Sequence, residues 1–351
     1  MLWLVFTTGY CNLKCDYCGG SFPSRVVPYS VKYDINKLKS MIERDPDPTV
    51  IFYGGEPLAN PRFIMKFMDS VSANRFGVQT NGTLYRLLPD QYWKRMNVAL
   101  LSIDGREEVT DKHRGRGTYR RVLEAARHLR ELGVETIARM AVTRDADIYE
   151  EVTHLLSLGL FDKVHWQLDV IWTERWNFEE WAYSSYLPGV KRLVDLFMRE
   201  LRRGRVLKIV PIIGVLSAYF FEGYQGSPCG AGYRSVAVST DGRVLACPIA
   251  VYERWAELGS VDRGFKLMGP YLAKECASCP YRRYCGGRCL YAMIERDWGD
   301  EGFATVDAVT RKYLDIVLSV VPEVKELADK GIINLEWLRY DPTKDSTEVI
   351  P

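Results

Sequence analysis

Six short runs of β-branched and aromatic residues alternate with amphipathic helical segments between Leu2 and Leu168, and this alternation narrows the possible folds more than any other feature. Residues 2–6 read as an uncharged, buried strand. Asp34 caps a helix over 35–43, where Leu38, Met41 and Ile42 follow helical spacing. Residues 50–53 form the next strand, and Asn60-Pro61 opens a helix through Ile64, Phe67, Met68 and Val71. Further strands are expected at 76–80, 98–103, 136–142 and 163–168, with helices at 90–95, 119–132 and 149–158; Gly133 ends the second of these. Strands separated by helices run parallel with right-handed crossovers. The expected fold is therefore α/β, a partial (β/α)6 TIM-like barrel whose chemistry sits at the C-terminal ends of its strands.

Beyond Leu168 the pattern changes. Residues 172–204 read as helical and rich in aromatics, and the character shifts after about residue 207. Residues 235–239 and 243–246 form a hairpin around Asp241-Gly242. A cysteine-rich stretch at 276–289 has little regular pattern, residues 304–330 read as one long amphipathic helix, and the polar end 341–351 is expected to be loose. The 47 basic and 45 acidic residues give a net charge of +2, so no global field points to nucleic acid or membrane. The opening MLWLVFTTGYC lacks a basic region and a cleavage site, so it is not a signal peptide. No apolar run approaches the ~18 residues of a membrane span, and the cytoplasm is the expected compartment.

The nine cysteines fall in two groups, and none lies between Cys18 and Cys229. Clustered cysteines in such a chain favour metal or Fe–S binding over disulfides. Cys11, Cys15 and Cys18 directly follow the first strand, at the expected barrel mouth. Three thiolates on a four-iron cubane leave one iron free for a small ligand, whereas a ferredoxin site adds a fourth cysteine nearby. Zinc normally takes four ligands, and neither His nor Cys occurs between Cys18 and His113. Three more polar segments fall at successive strand ends, Gly54-Gly55-Glu56-Pro57, Gln79-Thr80-Asn81-Gly82 and Ser102-Ile103-Asp104-Gly105, and Arg139 and Gln167 follow on the last two strands.

C-x3-C-x2-C with Tyr17 before its last cysteine resembles the signature of the radical S-adenosylmethionine (SAM) superfamily, and the other motifs match that family in order over about residues 1–170. The resemblance implies a SAM-binding [4Fe–4S] cluster on Cys11, Cys15 and Cys18, which are thus the catalytic residues. It implies reductive cleavage of SAM to a 5′-deoxyadenosyl radical that takes a substrate hydrogen. Tyr17, Gly54, Gly55, Glu56, Pro57, Gln79, Asn81, Ser102, Asp104, Arg139 and Gln167 are the implied cofactor-binding set. Within it, the Gly54–Pro57 segment and Glu56 take the SAM amino group, Ser102 and Asp104 contact SAM, and Arg139 takes its carboxylate. Plainer readings stand beside these: a turn at 54–57, a strand-end polar cluster at 102–104, a paired structural Arg139. His113, His128, His154 and His165 match no ligand spacing and read as structural or surface residues.

Cys276-x2-Cys279-x5-Cys285-x3-Cys289, preceded by Gly242-x4-Cys247 and by Cys229, resembles the SPASM extension of radical SAM enzymes, which carries up to two auxiliary [4Fe–4S] clusters. A zinc knuckle on the last four cysteines is the alternative. The resemblance groups Cys276, Cys279 and Cys285 on one cluster and Cys229, Cys247 and Cys289 on the other. The family's seventh cysteine is absent; of Asp297, Asp300 and Asp307 downstream, Asp307 is nearest its usual place and is the candidate metal ligand. The implied organisation is a radical SAM barrel at 1–210, a SPASM domain at 211–303, a helix at 304–340 and a tail at 341–351.

Family members of this kind mostly act on peptides or proteins, so the expected function is a peptide-modifying oxidoreductase; several stretches look most like archaeal SPASM proteins regarded as peptide-modifying. A cofactor-maturation enzyme acting on a porphyrin-like or other small molecule, and a non-catalytic Fe–S electron-transfer or scaffold protein, are the alternatives. Pro248 stands after Cys247 where sulfatase-maturating relatives carry Asp, which disfavours formylglycine formation. With Cys11 so near Met1, peptide recognition is expected to need a separate leader-binding partner, unless the substrate is a folded protein or a small molecule, and the electron donor is expected to be of ferredoxin or flavodoxin type. The Trp-dense segment 164–176 either lines the substrate cavity or packs beneath a loop.

Overall fold

The computed structural model describes residues 1–171 and 173–351; Trp172, where the aromatic helical stretch was expected to begin, lies outside the described residues. Six strands pair in sequence order and all parallel: β1 (Leu2–Thr8), β2 (Thr49–Gly54), β3 (Arg75–Thr80), β4 (Val98–Ser102), β5 (Glu135–Val142) and β6 (Lys163–Leu168). Helices α1 (Ile35–Ile42), α2 (Pro61–Ser70) and α3 (Asp90–Trp93) follow the first three strands. After β4 come α4 (Glu107–Arg114) and α5 (Thr118–Glu131), and after β5 comes α6 (Ile148–Ser157). The expected caps are present. Asp34 accepts from the Asn36 amide at 2.9 Å, and Asn60 accepts from the Phe63 amide ahead of α2.

The two-residue period of each strand sorts its side chains. Trp3, Val5, Val50, Phe52, Val78 and Leu101 face the helices in one large core. Leu2, Leu4, Phe6, Ile51, Leu100 and Ile137 face inward and fill the lower lumen as a second, smaller core. On β5 and β6 the inward positions turn polar: Arg139, His165 and Gln167 alternate with the helix-facing Met140, Trp166 and Leu168.

Several expectations needed correction. The hairpin β7 (Ser235–Val238) and β8 (Arg243–Leu245) forms, but β7 also pairs parallel with β1. With β9 (Glu257–Ser260) and β10 (Gly264–Phe265) it extends the barrel sheet to ten strands. The aromatic stretch becomes helical only at α7 (Phe178–Trp181), passes through a π turn at Ala182–Tyr186 and continues as α8 (Leu187–Leu201). A further helix, α9 (Val210–Phe220), escaped notice because it is apolar on nearly every face and so has no amphipathic period. The long helix expected at 304–330 is two, Gly299–Leu318 and Val321–Asp329, since Pro322 can neither donate within the chain nor follow a helical residue easily.

The largest correction is at the end of the chain. Residues 341–351 are not loose: Thr347, Val349 and Ile350 are fully buried. Asp345 accepts from Arg75 of β3 at 3.0 Å and pairs with Lys163 of β6, while Glu348 holds Arg139 of β5 through two bonds of 2.7 Å. Polar composition suggested solvent; the partners inside the barrel could not be read from it.

His165 is fully buried beside this tail, with Nδ1 3.3 Å from the Arg139 guanidinium and Glu348 3.5 Å from Nε2. Burial, reinforced by Arg139, pushes its pKa down to about 3 from 6.5. Between those values the unfolded chain binds a proton that the folded chain does not, so stability falls as pH drops below about 6.5. The expected slope is about 1.4 kcal/mol per pH unit. His165→Leu should flatten that acid limb relative to wild type in thermal unfolding measured from pH 7 to 4; parallel curves would contradict it.

Candidate functional site

The loop after β1 carries Cys11, Cys15 and Cys18 to the C-terminal mouth of the barrel, where all three line one cavity of about 710 Å³. Ser21 accepts from the Cys11 amide at 2.8 Å, and the Gly19 amide donates back to the Cys15 carbonyl, so the loop is a closed turn. Burial pushes the Cys11 thiol up to about 11. Cys18 accepts from the Cys15 thiol and is held down to about 6, while Cys15 is pushed up in return. All nine cysteines are described, and all nine carry free thiols.

Why the next motif needs two glycines is visible in its backbone. Gly54 has φ 133°, and a Cβ there would lie 2.2 Å from the Thr8 carbonyl; at Gly55 it would lie 2.4 Å from the Tyr10 carbonyl. The Gly55 amide donates to Thr8 and the Glu56 amide to Tyr10, at 3.0 and 2.8 Å, locking the end of β2 onto the cysteine loop. The buried Glu56 carboxylate accepts from the Thr80 hydroxyl (2.6 Å) and from the Asn81 and Leu58 amides (2.7 and 3.0 Å). Burial outweighs those bonds and pushes its pKa up to about 7. Pro57 starts the following turn, and its carbonyl accepts from Thr7.

The fourth strand end behaves differently from its sequence reading. Ser102 lines the cavity; Asp104 is sealed behind it. Asp104 accepts two bonds from Arg114 of α4 (2.7 and 2.8 Å), one from the Tyr17 hydroxyl (2.9 Å) and one from the Ala141 amide of β5 (2.9 Å). The Arg114 guanidinium also stacks over the Tyr17 ring at 5.3 Å. Thus Tyr17 is fixed by a buried ion pair, and Asp16 of the same loop bonds His113 at 2.8 Å. Gln79, Asn81, Arg139 and Gln167 line the cavity with Ser102. Asn81 reaches Asn12 at 2.9 Å and lies 4.0 Å from the Cys11 sulfur.

The remaining cysteines form two further gatherings. Burial pushes Cys229 up to about 12, with Cys289 adding to it, and pushes Cys247 well up, with Cys289 and Cys229 adding to that. Cys276 and Cys285 are pushed up to about 11 and about 12 by burial, with Asp307 adding to both. Cys276, Cys279, Cys285 and Asp307 line one small cavity, and Arg311 holds Asp307 at 2.8 Å. Asp300 instead points outward and bonds Arg296. Among the described residues, no three Cys, His, Asp or Glu side chains converge closely enough to hold a single metal ion. Arg114, Arg288 and Glu348 are the site residues that sequence reasoning missed. A cation between two ligand-spaced cysteines, as Arg288 is, was the one available signal.

Comparison with known proteins follows the same geometry. A sequence model of the Radical SAM superfamily matches residues 5–156. This is a radical SAM domain. A domain of this kind indicates an enzyme, and the superfamily implies a [4Fe–4S] cluster and SAM as cofactors. It is 24% identical over 319 residues to the antilisterial bacteriocin subtilosin biosynthesis protein AlbA of Bacillus subtilis, covering 82% of this chain and 66% of that one. It is 24% identical over 319 residues to the mycofactocin maturase MftC of Mycolicibacterium smegmatis, covering 81% and 76%. The radical SAM fold here resembles that of anSMEcpe with bound AdoMet at a TM-score of 0.71, with 21% identity over 94% of this chain and 100% of the other. No helix among the described residues is long and apolar enough to cross a membrane.

Three thiols on one cavity wall, with no fourth Cys or His among the described lining residues, fit a cluster that keeps one iron open. Asp104→Asn should lower stability by about 3–5 kcal/mol, because it leaves the Arg114 charge buried without compensation. Chemical denaturation of the purified chain measures this; a loss under 1 kcal/mol would show that the pair is not a keystone.

Proposed function

We propose that this radical SAM enzyme abstracts hydrogen from a peptide or protein substrate, using Cys11, Cys15 and Cys18 as ligands of the SAM-binding cluster. The observation that carries the reading is the shared cavity, onto which the three thiols and the ends of β2 through β6 converge. When bound, the cluster and SAM supply one-electron cleavage to a 5′-deoxyadenosyl radical. The protein's part is to bind, orient and exclude water. The backbone at Gly54-Gly55 offers polar groups to the SAM amino group, with Glu56 and Pro57 fixing the turn. Gln79, Asn81, Ser102 and Gln167 contribute polar atoms around the adenosyl and aminoacyl parts, Tyr17 braces the cysteine loop, and Arg139 takes the carboxylate. Asp104 acts through Tyr17 and Arg114 and not by contact.

The opposite wall comes from the cysteine-rich region through Ile249, Tyr252 and Tyr291, and Tyr252 is exposed at the rim. An apolar side chain presented by a peptide suits that wall. Two relatives whose names tie them to bacteriocin biosynthesis and mycofactocin maturation support the same class. We assign auxiliary clusters to Cys229, Cys247 and Cys289, and to Cys276, Cys279 and Cys285 with Asp307. We divide the chain into a radical SAM barrel at 1–210 and a cysteine-rich SPASM region from 211, whose last helices begin at Gly299 and not at 304, and we assign residues 341–351 to the barrel interior.

Anaerobic reconstitution with SAM and dithionite should yield 5′-deoxyadenosine by mass spectrometry, and Cys18→Ala should abolish it. No product from the wild-type chain would refute the reading. Co-expression with a short peptide encoded beside the gene should change that peptide's mass. Iron content should approach about twelve per chain, at four per cubane. Asp307→Ala should remove one auxiliary spectroscopic signature and leave the Cys11 site unchanged; an unaltered spectrum would overturn that ligand.

A further inference from the structure

The buried tail touches the reaction cavity at one cation. Arg139 lines that cavity from β5, yet its guanidinium is also the main partner of Glu348. A guanidinium has five N–H donors arranged so that two edges can each grip a carboxylate. Glu348 occupies the edge formed by Nη1 and Nη2, at 2.7 Å on each side, and His165 Nδ1 lies 3.3 Å from Nη1. The other edge, Nε–H with the second Nη2–H, remains for a ligand.

The strap that carries Glu348 is held far more firmly than an ordinary chain end. Asp345 anchors it to Arg75 and Lys163 below; above, the Ile350 carbonyl accepts from Gln167 at 3.2 Å and the Pro351 carbonyl from Arg288 at 2.6 Å. Val349, next to Glu348, has φ 66°, and Ser346 has φ 53°. A β-branched residue in the left-handed region is costly and persists only where its surroundings impose it. Gly214 of α9 supplies the space: a Cβ there would lie 2.1 Å from a Val349 methyl. Gln167 and Arg139 therefore both face the cavity and clasp the strap.

We propose that Glu348 is a positioning residue: it fixes the Arg139 guanidinium so that its free edge meets the carboxylate of SAM in the reaction cavity. This rests on the reading of Arg139 given above. Glutamine at this position keeps the shape but turns one acceptor into a donor facing a donor, so the guanidinium should rotate out of register.

The test is binding of SAM to the anaerobically reconstituted, unreduced full chain, measured by equilibrium ultrafiltration beside 5′-methylthioadenosine, which keeps the nucleoside and lacks the amino acid. Glu348→Gln should weaken SAM about tenfold while leaving 5′-methylthioadenosine within twofold, and it should raise KM for SAM more than it lowers kcat. Gly214→Ala, which touches neither partner but displaces Val349, should give the same selective loss. In an Arg139→Met background, Glu348→Gln should add nothing. Unchanged SAM affinity with a lowered Tm, or equal loss of both ligands, would make the strap merely structural and overturn the proposal. Because binding is read without reduction, failure here is separate from failure to form 5′-deoxyadenosine.

Discussion

The Asp104–Arg114 pair is the constraint on which the mouth of the barrel depends. Asp104 lies just past the end of β4, Arg114 ends α4, and the same carboxylate takes the Tyr17 hydroxyl and the Ala141 amide of β5. Neither charge reaches water appreciably. A lone buried ion would be prohibitive, so each group requires the other, and together they require that the cysteine loop, α4, β4 and β5 be in register. The cysteine loop is thus positioned by a polar keystone beneath it, while Gly54 and Gly55 let β2 close against it from the side. The two devices are complementary, one selecting orientation and the other distance.

Much of this was legible in the sequence because it was local. Strand runs, helix caps at Asp34 and Asn60, and the glycine pair are determined by neighbours a few residues away, and the structure places them at the expected strand ends. The roles of individual acids were less legible. Glu56 and Asp104 sit in motifs that suggest direct ligand contact, yet their carboxylate oxygens are engaged by Thr80, Asn81, Leu58, Tyr17, Arg114 and Ala141. A motif identifies a position near the chemistry; which way a carboxylate turns is decided by donors from distant strands, and no spacing rule encodes those.

The cysteine-rich region shows the converse. The resemblance groups Cys276, Cys279 and Cys285 apart from Cys229, Cys247 and Cys289; in the structure Cys276, Cys279 and Cys285 line one small cavity with Asp307, and Cys229 and Cys289 lie near Cys247. The segment joining them is short and contains Arg288, a buried cation in the left-handed region (φ 63°). Its guanidinium is near enough to Cys285 of one group and Cys289 of the other for each to act on its charge.

Arg288 also binds the Pro351 carbonyl, so one chain segment runs from that cation past Gln167 and Arg139 to Arg75 and Lys163 at the base of the lumen. A six-strand barrel is open along one side, and without a further chain segment Glu135 alone would balance Arg75 and Lys163 while Arg139 would lose its carboxylate. The strap resolves both problems with the same residues, since Asp345 and Glu348 neutralise the cations while Val349 and Ile350 fill the space beside α9. Composition could not reveal this, because the tail's polarity is matched to the barrel's interior and not to water. The strain at Val349 follows from the same constraint: Glu348 must face the lumen cation and Ile350 must bury, and a left-handed residue between them turns the chain within that confined space.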